Sequence, residues 1–195
     1  RFQLGLSPGN GTQLLGHLAA LGFSHDQAVA GGLATSSDKR STRDLFRDRI
    51  MIPIHDDRAS LVGFGGRSLD GSEPKYLNSP RTWAFDKSRI LYGFHHAKEH
   101  IKKQGEGVVV EGYMDVIAAH QRGFENVVAS MGTAITEAQV ALLLGVVRQF
   151  VIAFDPDAAG QDATFRSLEG SWRRFQQRAA VSRRGVTLYE RPFEV

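Results

Sequence analysis

From residue 93 onward, short Val-rich runs alternate with helix-like segments, and this alternation most narrows what the chain can become. Gly107-Val108-Val109-Val110 and Phe150-Val151-Ile152-Ala153-Phe154 are strand-sized and apolar, as buried parallel strands are. Placed in order, the spacing predicts helix 93–104, strand 107–110, helix 113–121, strand 126–130, helix 136–147, strand 150–154, helix 158–170 and strand 186–189. Strands regularly interleaved with helices predict an α/β fold, a mostly parallel sheet with helices on both faces. Ligands of such sheets gather outside the carboxyl ends of the strands. Carboxylates stand at those ends: Glu111 after the first strand, and Asp155 and Asp157 after a later one.

Acids in that position predict a magnesium site. Magnesium takes hard oxygen ligands, typically one or two carboxylates completed by water and substrate phosphate. In Asp155-Pro156-Asp157 one carboxylate lies near the strand axis and the other at the helix start, and Pro156 stiffens the turn between them. Glu111 suits a ligand or a general acid/base. Asp115 follows one helical turn later. The structural alternative is helix capping, because an acid at a helix N-terminus is stabilising by about 0.3–1 kcal/mol with or without metal. Asp162 fits that alternative. Capping does not account for acids at two strand ends followed by Gly112 and Gly160.

Charge adds a second constraint. Residues 39–103 hold 14 Lys and Arg against 8 Asp and Glu, whereas residues 106–169 hold 3 against 9. A basic stretch beside an acidic one fits a protein that grips a polyanion with one part and metal ions with another. The 195 residues, 42% of them hydrophobic, suffice for one good core or two small ones. No apolar run approaches the ~20 residues that span a bilayer, the start lacks a signal-peptide layout, and the cytoplasm is the expected compartment. With no Cys, neither a disulfide framework nor a thiolate zinc site can form. A start at Arg1 reads as a fragment.

The first part reads as packing helices, Thr12 capping one over 13–20 and Ser24 with Gln27 making a capping box for another that Gly31-Gly32 ends. Ile50 to His55 and Ser60 to Phe64 read as a hairpin around 56–59. An irregular stretch, 65–80, follows with Arg67, Lys75, Tyr76 and Asn78, and loops of that kind carry contacts. His96 and His100 have the i, i+4 spacing of metal ligands, but an amphipathic surface helix explains them better. The domain boundary is expected near residue 92: a basic α+β subdomain over 1–92, and a C-terminally truncated metal-binding domain over 93–195.

Glu111-Gly112-Tyr113-Met114-Asp115, Ser130-Met131-Gly132-Thr133 and Phe154-Asp155-Pro156-Asp157-x-Ala159-Gly160 resemble the TOPRIM domain of primases, topoisomerases and some nucleases. Upstream, the segment from Phe46 to Ile54, then Gly63-Phe64-Gly65-Gly66-Arg67, Pro74-Lys75-Tyr76-Leu77-Asn78-Ser79-Pro80 and Phe85-x-Lys87 with Leu91-Tyr92-Gly93 resemble the RNA polymerase domain of bacterial replicative, DnaG-type primases. The likeness runs from about Phe2 to Tyr189. It implies a TOPRIM-type fold and template-directed synthesis of RNA primers during DNA replication, by nucleotidyl transfer with two Mg²⁺ or Mn²⁺ ions. It further implies Glu111, Asp155 and Asp157 as catalytic metal ligands, Asp115 as their support, and Arg49, Arg67, Lys75, Tyr76, Asn78 and Lys87 as contacts to nucleotide or template. Implied partners are single-stranded DNA, ribonucleoside triphosphates and, through a domain absent here, the replicative helicase; the implied location is the bacterial cytoplasm, at the nucleoid. The family's zinc-binding domain and a later acidic motif are also expected to be missing, Glu194 being the one carboxylate of residues 191–195 and a poor candidate ligand. The same acids would also serve a TOPRIM nuclease, and a truncated domain could bind nucleic acid without turnover. The basic Arg67 to Lys87 pattern favours the primase reading.

Overall fold

The computed structural model describes residues 1–36, 42–132, 134–147 and 149–155. The chain divides into two compact units, Arg1–His55 with Ser60–Asp86, and Asp56–Ala59 with Lys87 onward.

The first unit is built on β1 (Gly5–Ser7), α1 (Gln13–Ala20), α2 (His25–Ala30), β2 (Ala34–Ser36), β3 (Thr42–Asp44), β4 (Arg49–His55), β5 (Leu61–Ser68) and β6 (Tyr76–Asn78). An antiparallel sheet runs β1-β4-β5-β6, and β2 pairs with β3 separately. The expected hairpin is β4–β5, and it buries Ile52 and Ile54 completely through period-two alternation. Three features depart from the sequence reading. The short strands β1, β2 and β3 were not anticipated, and β5 and β6 occupy part of the stretch read as irregular loop. The third departure is the start of α1. Thr12 makes no side-chain cap; Asn10 Oδ1 accepts from the N–H groups of Thr12 and Gln13, and the buried Asp44 carboxylate accepts from Leu14 N at 2.9 Å and Leu15 N at 3.0 Å. A carboxylate 30 residues away thus satisfies donors left over at the helix start. The Ser24–Gln27 capping box is present as expected.

The second unit contains α3 (Phe94–Gln104), β7 (Glu106–Val110), α4 (Tyr113–Gln121), β8 (Val127–Ala129), α5 (Glu137–Leu144) and β9 (Gln149–Ile152). Its sheet is parallel, ordered β8-β7-β9 among the described residues, so β7 is flanked on both sides. Val109, Val128, Ile101, Val140 and Leu143, all fully buried, belong to one core cluster. α5 stops at Leu144, three residues before the predicted end. The predicted helix 158–170 and strand 186–189 lie outside the described residues. Gly93 opens α3 at φ +77, and a Cβ there would come within 2.9 Å of Val116 Cγ1, so both backbone conformation and space require glycine.

Candidate active site

The parallel ladder decides which acids meet. Val108 and Val109 of β7 pair with Val151 and Ile152 of β9, and Ala153 N donates to Val109 O at 2.8 Å, so the chain leaves both strands side by side. Glu111 and Asp155 follow directly. The Asp155 backbone N–H donates to Glu111 Oε1 at 3.1 Å. Glu111 is half-buried and Asp155 exposed, so the pair sits where solvent and a ligand can reach it. Asp157 lies outside the described residues.

Asp115 is at the third position of α4, where its Oδ2 accepts from Gly112 N at 3.1 Å. Since Gly112 has no side chain to reciprocate, this is half a capping box, and one oxygen of Asp115 has a structural task. Behind it, Tyr113 packs edge-on against Tyr92 at 4.8 Å, both nearly inaccessible, and burial pushes the Tyr92 phenol pKa up.

The other neighbour of β7 contributes a strained loop. After β8, Ser130 N donates to Val110 O and Met131 N to Glu111 O, each at 3.2 Å. Met131 takes φ +58, a backbone conformation that residues other than glycine rarely adopt and one that clusters at functional sites. Lys87 belongs to this neighbourhood. Its Nζ lies 3.6 Å from the position a Cβ would take on Gly132.

The cations expected to hold nucleotide or template divide in two. Arg67 of β5 and Tyr76 of β6 are cross-strand partners, with the guanidinium 5.9 Å from the ring centroid. Lys75 and Tyr76 are exposed, and Asn78, opposite Gly65, is half-buried. In the loop between β5 and β6, hydrogen bonds from the backbone and side chain of Ser72 and from Ser68 hold the Asp70 carboxyl down to about 2, so this turn keeps its charge and its shape. Arg49 is different. Its side chain is 6% exposed, and Nη1 donates to Pro74 O at 2.8 Å and Gly66 O at 3.3 Å. Gly66 leaves a gap that the aliphatic stem of Arg49 crosses, and the guanidinium, implied as a contact to nucleotide or template, here ties β5 to the β5–β6 loop.

Two residues the sequence reading passed over stand out. Trp83 is 93% exposed on a fixed turn, with Thr82 Oγ1 accepting from Ala84 N and Phe85 N, Arg81 paired to Asp86 at 3.0 Å, and Phe85 buried as an anchor. A Trp between basic residues in a Pro-containing loop was a legible signal. Gln139, 1% exposed, gathers backbone carbonyls from three places. Its one visible sign was the spacing Thr136-x-x-Gln139.

The donor set of Glu111 and Asp155 consists of hard oxygens and fits a magnesium-type ion that also takes oxygens from water and substrate. Among the described residues, no group of three or more His, Asp and Glu side chains is placed to hold a metal. His96 and His100 form no such group, and His100 Nε2 sits 2.9 Å from Glu125 Oε2. No helix of the described residues is long and apolar enough to cross a membrane.

A DNA primase from Synechococcus elongatus is 46% identical over 172 residues, 86% of this chain and 25% of that protein. A DNA primase domain from Pseudomonas aeruginosa superposes with a TM-score of 0.80 at 42% identity, covering 87% of this chain and 53% of that one. A DnaG primase catalytic domain bound to ssDNA superposes at 0.84 with 33% identity, covering 98% and 58%. The chain spans about a quarter of the length of the curated relatives it matches. Residues 1–98 match the N-terminal domain of the DNA primase catalytic core and residues 105–184 the Toprim domain, and the chain belongs to the DNA primase catalytic-core family.

Proposed function

We propose that this chain is the catalytic core of a primase that joins ribonucleotides on single-stranded DNA, and that its two units divide the task. The observation that carries the reading is the Glu111 carboxylate held against the Asp155 amide at two adjacent strand ends. In the reaction, a 3′-oxygen attacks the α-phosphorus of an incoming ribonucleoside triphosphate, the bond to the bridging oxygen breaks, pyrophosphate leaves and the hydroxyl proton is released. Glu111, Asp155 and Asp157 would hold Mg²⁺ or Mn²⁺, with Asp115 orienting the helix start beside them. Bound divalent ions would favour the ionised 3′-hydroxyl and offset the charge growing on pyrophosphate. Lys87, whose Nζ lies beside Gly132 at this edge, suits the triphosphate.

The unit of Arg1–His55 with Ser60–Asp86 is assigned to template and nucleotide, and the unit from Lys87 onward to metal, triphosphate and bond formation. Arg67 and Lys75 would follow the phosphates, Asn78 would donate or accept at a base edge or sugar, and Tyr76 and Trp83 offer faces for unstacked bases. The relative bound to ssDNA supports that partner. The full-length enzyme acts in the bacterial cytoplasm at the nucleoid, with the replicative helicase as a partner through a further domain.

Given single-stranded DNA, ribonucleoside triphosphates and Mg²⁺ or Mn²⁺, the full-length enzyme is expected to make short RNA. Cleavage of the DNA without synthesis would overturn the reading in favour of a nuclease. The binding surface has its own test. Lys75→Ala is expected to reduce the slope of log affinity for single-stranded DNA against log salt by about 0.7, the loss of one phosphate contact. Trp83→Ala is expected to weaken binding by about 5- to 150-fold with that slope unchanged, since stacking on a base releases no counterion. Fluorescence anisotropy of labelled oligonucleotide across a salt series measures both. Equal affinity of Trp83→Ala and the parent would remove Trp83 from the interface.

A further inference from the structure

We propose that Gln139 is a positioning residue for nucleotide binding, fixing Lys87 and the loop 130–132 at the carboxyl edge of the sheet; this rests on the assignment of Lys87 to the triphosphate. Gln139 is the third residue of α5, and its Oε1 accepts from Thr136 N at 2.9 Å while Thr136 Oγ1 accepts from Gln139 N at 3.2 Å. Those two bonds complete a capping box, and either Gln or Glu would make them.

The amide nitrogen does something a cap does not need. Gln139 Nε2 donates to Lys87 O at 3.1 Å, Ile90 O at 2.8 Å and Ser130 O at 3.1 Å. Two N–H bonds serve three carbonyls, so at least one is shared. Thr136 Oγ1 adds a hydrogen bond to Ser88 O. The start of α5 is therefore fastened to residues 87–90 and to the end of β8 at once. Two consequences meet at the site. The backbone that carries Lys87 is held from behind, and the carbonyl just before the left-handed Met131, whose N–H reaches Glu111 O, is fixed by the same amide.

A buried amide with all its groups engaged has one arrangement, so the backbone from which the Lys87 side chain reaches starts each turnover in one place rather than many. Displacement of a binding group by about 1 Å can reduce turnover by up to about 100-fold. A helix cap alone would affect stability and nothing else.

The test uses full-length enzyme and compares Gln139→Met, which keeps the volume and removes the donors, with Lys87→Ala and the double variant. Gln139→Met is expected to raise KM for ribonucleoside triphosphate by about 10- to 100-fold with single-stranded DNA affinity unchanged. In the Lys87→Ala background it should change KM less than about twofold, since the two act as one unit. Thr136→Val, which removes only the hydroxyl bonds, should raise KM less, and it carries the test should Gln139→Met lose DNA binding through failure to fold. Normal KM in a folded Gln139→Met or Thr136→Val variant whose thermal midpoint has dropped would show a cap and nothing more, and overturn the proposal. Additive effects of Gln139→Met and Lys87→Ala would overturn it equally. If Lys87→Ala leaves KM unchanged, the triphosphate assignment of Lys87 fails, and this proposal with it.

Discussion

Glu111→Gln in the full-length enzyme is expected to lower primer synthesis by about 10³-fold or more, because the charge stabilisation a metal site supplies is worth several kcal/mol. The substitution is informative for a structural reason. A glutamine retains the oxygen that accepts from the Asp155 N–H, so the link between the two strand ends survives while the negative charge does not. Glu111→Ala would remove both and confuse chemistry with local order. With Glu111→Gln, affinity for single-stranded DNA and the thermal midpoint are expected to match the parent. Steady-state incorporation of labelled ribonucleotide, read beside anisotropy on the same protein, checks this. Near-parental synthesis by a folded Glu111→Gln enzyme would take Glu111 out of the active site.

The second large effect is on stability, at a residue that the family resemblance implied as a contact to nucleotide or template. Arg49→Met is expected to lower the free energy of opening of β4 and β5 by about 2–3 kcal/mol, since a buried charged donor is removed and the carbonyls of Gly66 and Pro74 lose it as a partner. Hydrogen exchange followed by mass spectrometry on peptides covering residues 49–68 should show protection falling by about 30- to 150-fold, the same energy expressed as a ratio. The salt slope of DNA binding should stay at its parental value once the folded fraction is taken into account. Lys75→Ala is the converse case: a shallower slope with parental protection. A shallower slope for Arg49→Met with parental protection would restore Arg49 to the binding surface. Gly66 reports on the same gap, because a Cβ there would sit 2.9 Å from Arg49 Cδ and 2.7 Å from Phe46 Cδ1.

The contrast between these residues shows which parts of the molecule a sequence can disclose. β7 and β9 were legible because a buried parallel strand needs an uninterrupted apolar run, and the chain supplies Val108 to Val110 and Phe150 to Ile152. Glu111 and Asp155 were legible because acids at strand ends are hard to explain by capping, but only the register of the ladder shows that they touch. The burial of Arg49 was not legible, because it depends on a missing Cβ 17 residues away. Asp44 was missed as the cap of α1 for a similar reason, its partners being 29 and 30 positions distant. β1, β2 and β3 have three residues each, too few for a period to declare itself. Gln139 announced its cap through local spacing, yet two of the carbonyls it gathers lie 49 and 52 residues earlier. Local patterns were readable and long-range polar contacts were not.

The central claim is that Glu111 and Asp155 form one catalytic site, and a double-mutant cycle tests it most directly. Rates of first phosphodiester formation would be measured on preloaded template for the full-length enzyme, Glu111→Gln, Asp155→Asn and the double variant. Residues that act as a unit are grossly non-additive, so the double variant is expected to be about as slow as the slower single one. Independent effects, the double variant losing the product of the two single losses, would contradict a shared site.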